Sequence, residues 1–570
     1  MPVKRTAIAI ASTIVALRNH CKDSWYQLSL QWFDFSWKAI PTLVRFTTAL
    51  LILVTVGFIA PATPAKNASL QFNVAAEELF RRNKFSAARK SYEESIKGNP
   101  ENVKLRIGLV RTLLRLDEWR YAVAEGYEAA QRHAQDADSR ALYALALLRA
   151  GWPDLTEREA EVATKLDPNN YWVLIATGRV ALWKRQQQKA ARLFRRAATM
   201  RPDEPDGWLG LFLSLDVGSA EHTAAAEVYV NLAPQGQPHR WHINYAREVV
   251  RYTRAYGKRY NPDRVFAAVE PLNEAQLRRL EKAGGQFSIS VPIEQQGEYI
   301  FLPVVINKQR IRLIFDTGGG TQVLLNATAA KRLNLQALKT TKTNSIQGEE
   351  LTTWFQADTL TIGSGGSQRQ AFKDVPVYAL QSDQLAGDGI FGASLFRRYR
   401  VTLDLSANTL TLARGRQARQ SNKSDIIIPF SSVNDWLLFR ARVADEPVWV
   451  TFDTGSAENN LSLFFARQLA TRLNKNEWQE WVHHGKIAIG NTATEITYLR
   501  LSRTFPLSTM DLKAPFVLND IRWTGASFLD GQISALCDLE IAAQVGVSFL
   551  RKFKRMTIDY PSHTLRLDPL

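Results

Sequence analysis

The sequence predicts a multidomain chain: an all-α solenoid of helical repeats, then an all-β unit present twice, behind an N-terminal hydrophobic segment. Three observations predict this order. Pro100, Pro168 and Pro202 recur in a register of 34 residues, and Ala88, Ala122, Ala190 and Ala224 fall in the same step. The run Leu313-Ile314-Phe315-Asp316-Thr317-Gly318 is spelled again as Val450-Thr451-Phe452-Asp453-Thr454-Gly455. Phe46 to Ala60 is an uncharged, largely apolar stretch.

Composition sets the frame. A chain of 570 residues exceeds what one hydrophobic core serves, and 45% hydrophobic with 22% charged residues is globular. The net charge of +17 comes without zinc spacing, a helix-turn-helix signal or a concentrated Lys/Arg run, so no nucleic-acid partner is expected. An anionic envelope, an acidic partner or plain solubility accounts for it as well. Cys21 and Cys537 lie far apart, and neither a structural disulfide nor thiol catalysis is expected.

Residues 1–65 form the first segment. Lys38 and Arg45 precede the apolar run, and Pro61-Ala62-Thr63-Pro64-Ala65 follows it, the pattern of a secretory signal. The run is short against the about 20 residues of a membrane span, and its leading region is long for a signal. An uncleaved anchor with Lys4, Arg5, Arg18 and Lys22 held in the cytoplasm is equally consistent. Both readings put the rest of the chain outside the cytoplasm: periplasmic, or anchored to the inner membrane facing the periplasm, if the source is a Gram-negative bacterium.

Residues 69–236 read as helical hairpins. Each second helix needs a small residue where it crosses the first, an aromatic such as Tyr92 or Phe194 to fill the next hairpin, and a proline to stop the chain. The third unit is degenerate, with Thr156 and Ala160 in the small and aromatic places. These positions resemble tetratricopeptide repeats, and the resemblance implies a partner protein or peptide held on a concave face, a structural spacer being the other reading. Lys184, Arg185, Arg192, Arg195 and Arg196 suggest a basic patch for an acidic peptide, or a solvated face. Residues 237–285 are expected to be a non-repeating helical cap that ends at Gly284-Gly285.

From residue 286 the texture is strand-like. Residues 286–412 make one lobe, the polar basic stretch 413–425 a tether, and residues 426–570 a second lobe on the same plan. Ser394-Leu395-Phe396-Arg397-Arg398-Tyr399 and Ser548-Phe549-Leu550-Arg551-Lys552-Phe553 mark the same point in each. One Asp-Thr-Gly is an ordinary turn; two with matched apolar flanks each carry a carboxylate to a strand end, which costs free energy unless the charge has a task.

Each lobe resembles a retropepsin-type aspartic protease subunit, and two on one chain imply the bilobal pepsin-like arrangement. Hydrolysis of a peptide bond without a metal needs a water deprotonated as it attacks and an amide protonated as it leaves. Two carboxylates sharing one proton supply both, and Asp316 and Asp453 are the candidates. The resemblance implies that Thr317 and Thr454 tie each loop to the opposite lobe and that Gly318 and Gly455 let the backbones approach. Ser456 is expected to donate to Asp453, where Gly319 offers Asp316 nothing, which would make Asp453 the more readily ionised partner.

Gln347 and Gly348 are expected in a flap over the cleft, with a less marked counterpart around Ile489-Gly490-Asn491. Gln544 departs from the resemblance, standing where an aliphatic residue belongs. The adjacent His483 and His484 have no supporting metal-ligand spacing, so no metal or other cofactor is expected. The function implied is an extracytoplasmic aspartic-type endopeptidase, a hydrolase with a monomeric catalytic unit, its repeats recruiting a protein substrate or partner. The alternative is a catalytically inactive, peptide-binding scaffold, and a third arrangement pairs each lobe with one from another chain.

Overall fold

The computed structural model describes residues 74–184, 186–215 and 219–233, scattered positions between 243 and 254, and 267–570 apart from 319–322, 346–347, 366–367, 384, 416–425, 434–435, 486–493, 511–515, 528 and 530–539. The apolar run Phe46 to Ala60 and Cys537 lie outside these. No described helix is long and apolar enough to cross a membrane.

The first half is helical. After α1 (Val74–Arg81), the helices α2 (Phe85–Gly98), α4 (Trp119–Arg132), α6 (Pro153–Leu166) and α8 (Gln187–Met200) begin 34 residues apart. Their partners α3 (Val103–Arg115), α5 (Ala137–Arg149), α7 (Tyr171–Trp183) and α9 (Pro205–Ser214) keep the same step, and α10 (Ala220–Leu232) closes the series. Start signals recur at one position. Asn102, Asp136 and Asn170 each accept a backbone N–H from the first turn of the helix that follows, satisfying donors that the helix start leaves open.

Small residues and aromatics fit each other across the hairpins. A Cβ on Gly108 would lie 2.4 Å from the Tyr92 ring, and Gly178 and Gly210 close on Phe194 from both sides, at 2.7 and 2.2 Å. Where the third unit lacks an outer aromatic at Ala160, Tyr143 from α5 packs instead with Ala130 and Leu147. The inner helices α3, α5, α7 and α9 lie against one another, and α7 is buried on nearly every side. Arg115 on α3 reaches Asp206 at the first turn of α9, 91 residues on, and Arg111 pairs with Glu77 at 3.6 Å and Glu204 at 3.5 Å. Much of the inner face is therefore occupied by the chain's own ion pairs.

The basic cluster on the outer side is also largely spoken for. Lys184 pairs with Glu157, Arg195 with Glu221 at 2.6 Å, and Arg196 donates to the Asn169 carbonyl oxygen at 2.7 Å; Arg185 lies outside the described residues. Two charges of the expected patch for an acidic peptide, Lys184 and Arg195, are thus balanced by acids of the chain itself.

The stretch expected as a helical cap divides. Ile243, Ala246 and Val250 pack with the helices, but Ala267–Glu270 is a strand hydrogen-bonded along Gln368–Leu380, so it belongs to the β-rich region. The helix Glu274–Lys282, with Asn273 and Gln276 capping each other, is fastened there too: buried Arg414 bridges Glu274 and Glu281 at 2.8 Å each. For the same reason the strand Thr409–Gly415 runs into the stretch 413–425 expected as a tether, because Ala413 and Arg414 pair with Ser288 and Phe287.

The second half is β-rich, and the described residues make three sheets. One contains the strand Gln309–Asp316, another the strand Glu446–Phe452. The third has six described strands, in the order Ile426–Pro429, Thr564–Pro569, Phe553–Asp559, Arg400–Asp404, Thr409–Gly415, Gln286–Pro292. Its middle pair, Arg400–Asp404 and Phe553–Asp559, is antiparallel, with Thr402 opposite Thr557 and their hydroxyls 2.9 Å apart. Three strands follow the first Asp-Thr-Gly plan on one side of that point and three the second on the other.

The helices pack against the strands of the second plan. Trp183 meets Trp449 edge-to-face with centroids 5.8 Å apart, and the Arg149 carbonyl accepts the Glu540 N–H at 2.8 Å. Arg120 lies over the Phe464 ring at 3.5 Å, and Arg440 pairs with Asp154 at 2.8 Å. A Cβ on Gly151, whose φ is +78°, would come within 3.1 Å of the Glu540 carbonyl, so this turn needs glycine both for its backbone and for the contact.

Candidate active site

Each Asp-Thr-Gly sits at the end of a strand enclosed on both sides. Leu313 to Asp316 runs parallel to Gly389–Gly392, which is itself antiparallel to Val323–Leu325. Glu446–Phe452 runs parallel to Ile541–Val545 in the same way, and that strand pairs with Asn460 and Leu461. Strands buried on both faces read as continuous apolar runs, which is why Leu313-Ile314-Phe315 and Trp449-Val450 stand ahead of the acids. Phe315 and Phe452 are fully buried and pack on Phe396 and Phe549, fixing the strand ends from below.

The two strand ends meet. The Thr317 N–H donates to the Thr454 hydroxyl at 2.9 Å, and the Thr454 N–H to the Thr317 hydroxyl at 3.0 Å. The Thr317 hydroxyl donates to the Phe452 carbonyl at 3.1 Å, and the Thr454 hydroxyl to the Phe315 carbonyl at 2.6 Å. All four groups are buried, so each loop supplies the partners that the other would otherwise lack.

The glycines lie across from the opposite acids. A Cβ on Gly318 would stand 2.2 Å from the Asp453 carboxyl carbon, and one on Gly455 2.5 Å from that of Asp316. Each glycine N–H also donates to its own aspartate, Gly318 to Asp316 Oδ1 and Gly455 to Asp453 Oδ1, at 2.8 Å in both cases. With no side chain on either glycine to keep them apart, the carboxyl groups of Asp316 and Asp453 face each other closely enough for the charge of one to bear on the other. Burial, then the neighbouring negative charge of Asp316, raises the Asp453 carboxyl well above the ordinary range.

The expected contact from Ser456 is not formed. The Ser456 hydroxyl donates to the Glu458 carbonyl at 3.0 Å rather than to Asp453, because the local turn offers that acceptor two residues on. Its place beside Asp453 is taken by Gln544, whose Nε2 donates to Asp453 Oδ2 at 2.5 Å. Gln544 is in turn held by Asn460, whose Nδ2 donates to its Oε1 at 3.2 Å. Sequence reasoning noticed Gln544 only as a departure and passed over Asn460. The available signal was a polar side chain in the apolar strand Ile541–Val545, which needs a buried partner.

The remaining candidates are dispersed. Gly348 opens the strand Gly348–Gly365 and pairs with Ser345 in a long hairpin, while Gln347 and Gly319 lie outside the described residues. In the second half Trp478–Gly485 and Thr494–Leu501 form a hairpin in the corresponding place after the Asp-Thr-Gly, and Ile489-Gly490-Asn491 lie outside the described residues. His483 sits on that hairpin opposite Ile496. No group of three metal-ligating side chains occurs among the described residues.

Residues 302–395 match the aspartyl protease family. The β-rich region carries an aspartyl protease-like domain. The match takes in Asp316 and the Gly389–Gly392 strand of this protease-like region. Among solved structures, Basic 7S globulin from soybean aligns at 10% identity and a TM-score of 0.31, covering 50% of this chain and 94% of that one. A thermophilic TPR protein of Thermus thermophilus aligns at 19% identity and 0.25, covering 28% of this chain and 90% of its own. YrrB, a TPR protein with an unusual peptide-binding site, aligns at 12% and 0.20, covering 30% of this chain and 88% of its own. No curated protein matches the chain.

Proposed function

We propose that this chain is an aspartic endopeptidase of bilobal, pepsin-like plan, with one lobe in residues 286–412 and the other in 426–570, hydrolysing peptide bonds with a water activated by Asp316 and Asp453. The observation that carries the reading is the meeting of the two Asp-Thr-Gly strand ends, where each glycine lies against the opposite aspartate's carboxyl and donates its N–H to its own. In such a pair the ionised member takes a proton from the attacking water and the protonated member polarises the scissile carbonyl; the proton then passes to the leaving amine. With Asp453 raised, Asp316 is the base and Asp453 the acid. The six-stranded sheet shared by the two plans supports pairing within one chain.

The packing of the helices on Trp449 and Glu540 supports a role for the array in bracing the half that carries Asp453. Recruitment of a protein or peptide partner by the repeats, and a location outside the cytoplasm, belong to the same proposal; the first rests on the resemblance of the repeats and the second on the basic-flanked run Phe46 to Ala60.

Cleavage of a denatured protein by the full chain, assayed from acidic to neutral pH beside Asp316→Asn and Asp453→Asn, tests the activity. Both variants are expected to lose at least about a thousandfold in kcat/KM. Equal turnover by all three removes the dyad from the reaction. Absence of cleavage by any, with peptide binding retained, favours the scaffold reading. A reporter fused after residue 70 reports the side of the membrane.

A further inference from the structure

The two halves place different side chains beside their acids. Phe391 stands opposite Phe315 on the strand beside the first aspartate, and Val545 stands opposite Phe452 on the strand beside the second. One residue earlier in each is Ile390 in the first half and Gln544 in the second. Ile390 has no side-chain hydrogen to donate. Gln544 is 2% exposed and spans the gap between Asp453 Oδ2 and Asn460, itself 6% exposed.

Asn460 is anchored as well. Its Nδ2 also lies 3.3 Å from the Ser456 hydroxyl and 3.5 Å from the Glu458 carbonyl, within the turn that follows the second Asp-Thr-Gly. A buried amide pair costs free energy unless each group is satisfied, and this one is satisfied by ending on a carboxyl. Asp453 is therefore gripped at both oxygens, by the Gly455 N–H at Oδ1 and by Gln544 at Oδ2, which fixes the rotation of its carboxyl plane.

We propose that Gln544, oriented by Asn460, is a positioning residue of the dyad: it holds Asp453 in the plane in which its carboxyl meets Asp316 and keeps that carboxyl within reach of ionisation. The inference rests on the peptidase reading for its kinetic consequence, but not for its structural one. Hydrogen bonding from a neutral amide stabilises the carboxylate over the acid. Gln544 therefore holds down the rise that burial and Asp316 impose on Asp453, so that the proton can be released within the catalytic cycle.

The test replaces Gln544 by Met, of similar length and volume but without the amide, and separately Asn460 by Ala, in the full chain. Carbon-13 NMR of labelled aspartate carboxyls, assigned with Asp453→Asn, follows the Asp453 titration, while kcat and KM are measured across pH. Gln544→Met is expected to move the Asp453 midpoint to higher pH, to shift the alkaline limb of kcat/KM the same way, and to lower kcat about tenfold to a hundredfold with KM within about twofold. Asn460→Ala is expected to act in the same direction to a smaller extent. An Asp453 midpoint unchanged in a folded Gln544→Met protein overturns the proposal; should that variant not fold, an unchanged midpoint in Asn460→Ala does so. If the parent protein cleaves nothing and the midpoint still moves, the peptidase reading falls and the positioning role stands.

Discussion

Thr317 and Thr454 exchange hydrogen bonds, the N–H of each donating to the hydroxyl of the other, while each hydroxyl donates to the carbonyl that precedes the other's aspartate. Neither loop completes its polar contacts alone. Thr317→Val and Thr454→Val are each expected to cost about 1–3 kcal/mol, since each strands a buried donor and a buried acceptor. No bond is removed by both substitutions, so bond loss alone puts the double variant at the sum of the two, a near-additivity that denaturant unfolding of the four proteins measures directly.

Gly318→Ala and Gly455→Ala probe spacing rather than stability. The new methyl group would meet the opposite carboxyl carbon at 2.2 or 2.5 Å, so the acids must move apart. Turnover is expected to fall by at least about a hundredfold, in line with the sensitivity of reacting groups to misplacement by about 1 Å. Circular dichroism of both variants should match the parent protein.

Stability should depend on pH through Asp453. Its carboxyl is raised in the folded chain by burial and by Asp316, so the folded state keeps a proton that the unfolded state releases. That contribution is complete below the unfolded value of about 4 and is lost as pH rises through the folded value. Urea midpoints measured from about pH 4 to about pH 8 should therefore decline more steeply for the parent protein than for Asp453→Asn, which has nothing to titrate there.

Trp449 ties the helices to the strand that ends in Asp453. It is 2% exposed and packs with Trp183, Trp436 and Ile541. Trp449→Ala is expected to cost about 3–5 kcal/mol, by the usual consequence of emptying a large buried volume. It should also lower peptidase activity, because the same strand positions the acid; thermal unfolding and the cleavage assay report the two effects separately.

Much of this was legible because the sequence places conflicting residues side by side. A carboxylate closing an apolar run announces a buried charge, and its repetition at Asp453 announces a pair. Proline and alanine positions in a step of 34 residues announce hairpins, because each unit needs a small residue at its crossing and a stop at its end. What was not legible depends on which strands become neighbours. Gln544 and Asn460 are 84 residues apart, and nothing local tells either that the other is in reach. Ser456 misled for the opposite reason: proximity along the chain favoured Asp453, but the turn delivered the Glu458 carbonyl instead. Ala267–Glu270 is too short to declare itself a strand without its partner, about a hundred residues downstream.

The sheet centred on Thr402 and Thr557 sets a limit on motion. Three strands enter it from each side, so rotating one side against the other would shear the ladder between Arg400–Asp404 and Phe553–Asp559. The junction between the two halves is consequently stiff, and any difference in shape between states of the protein has to be taken up elsewhere.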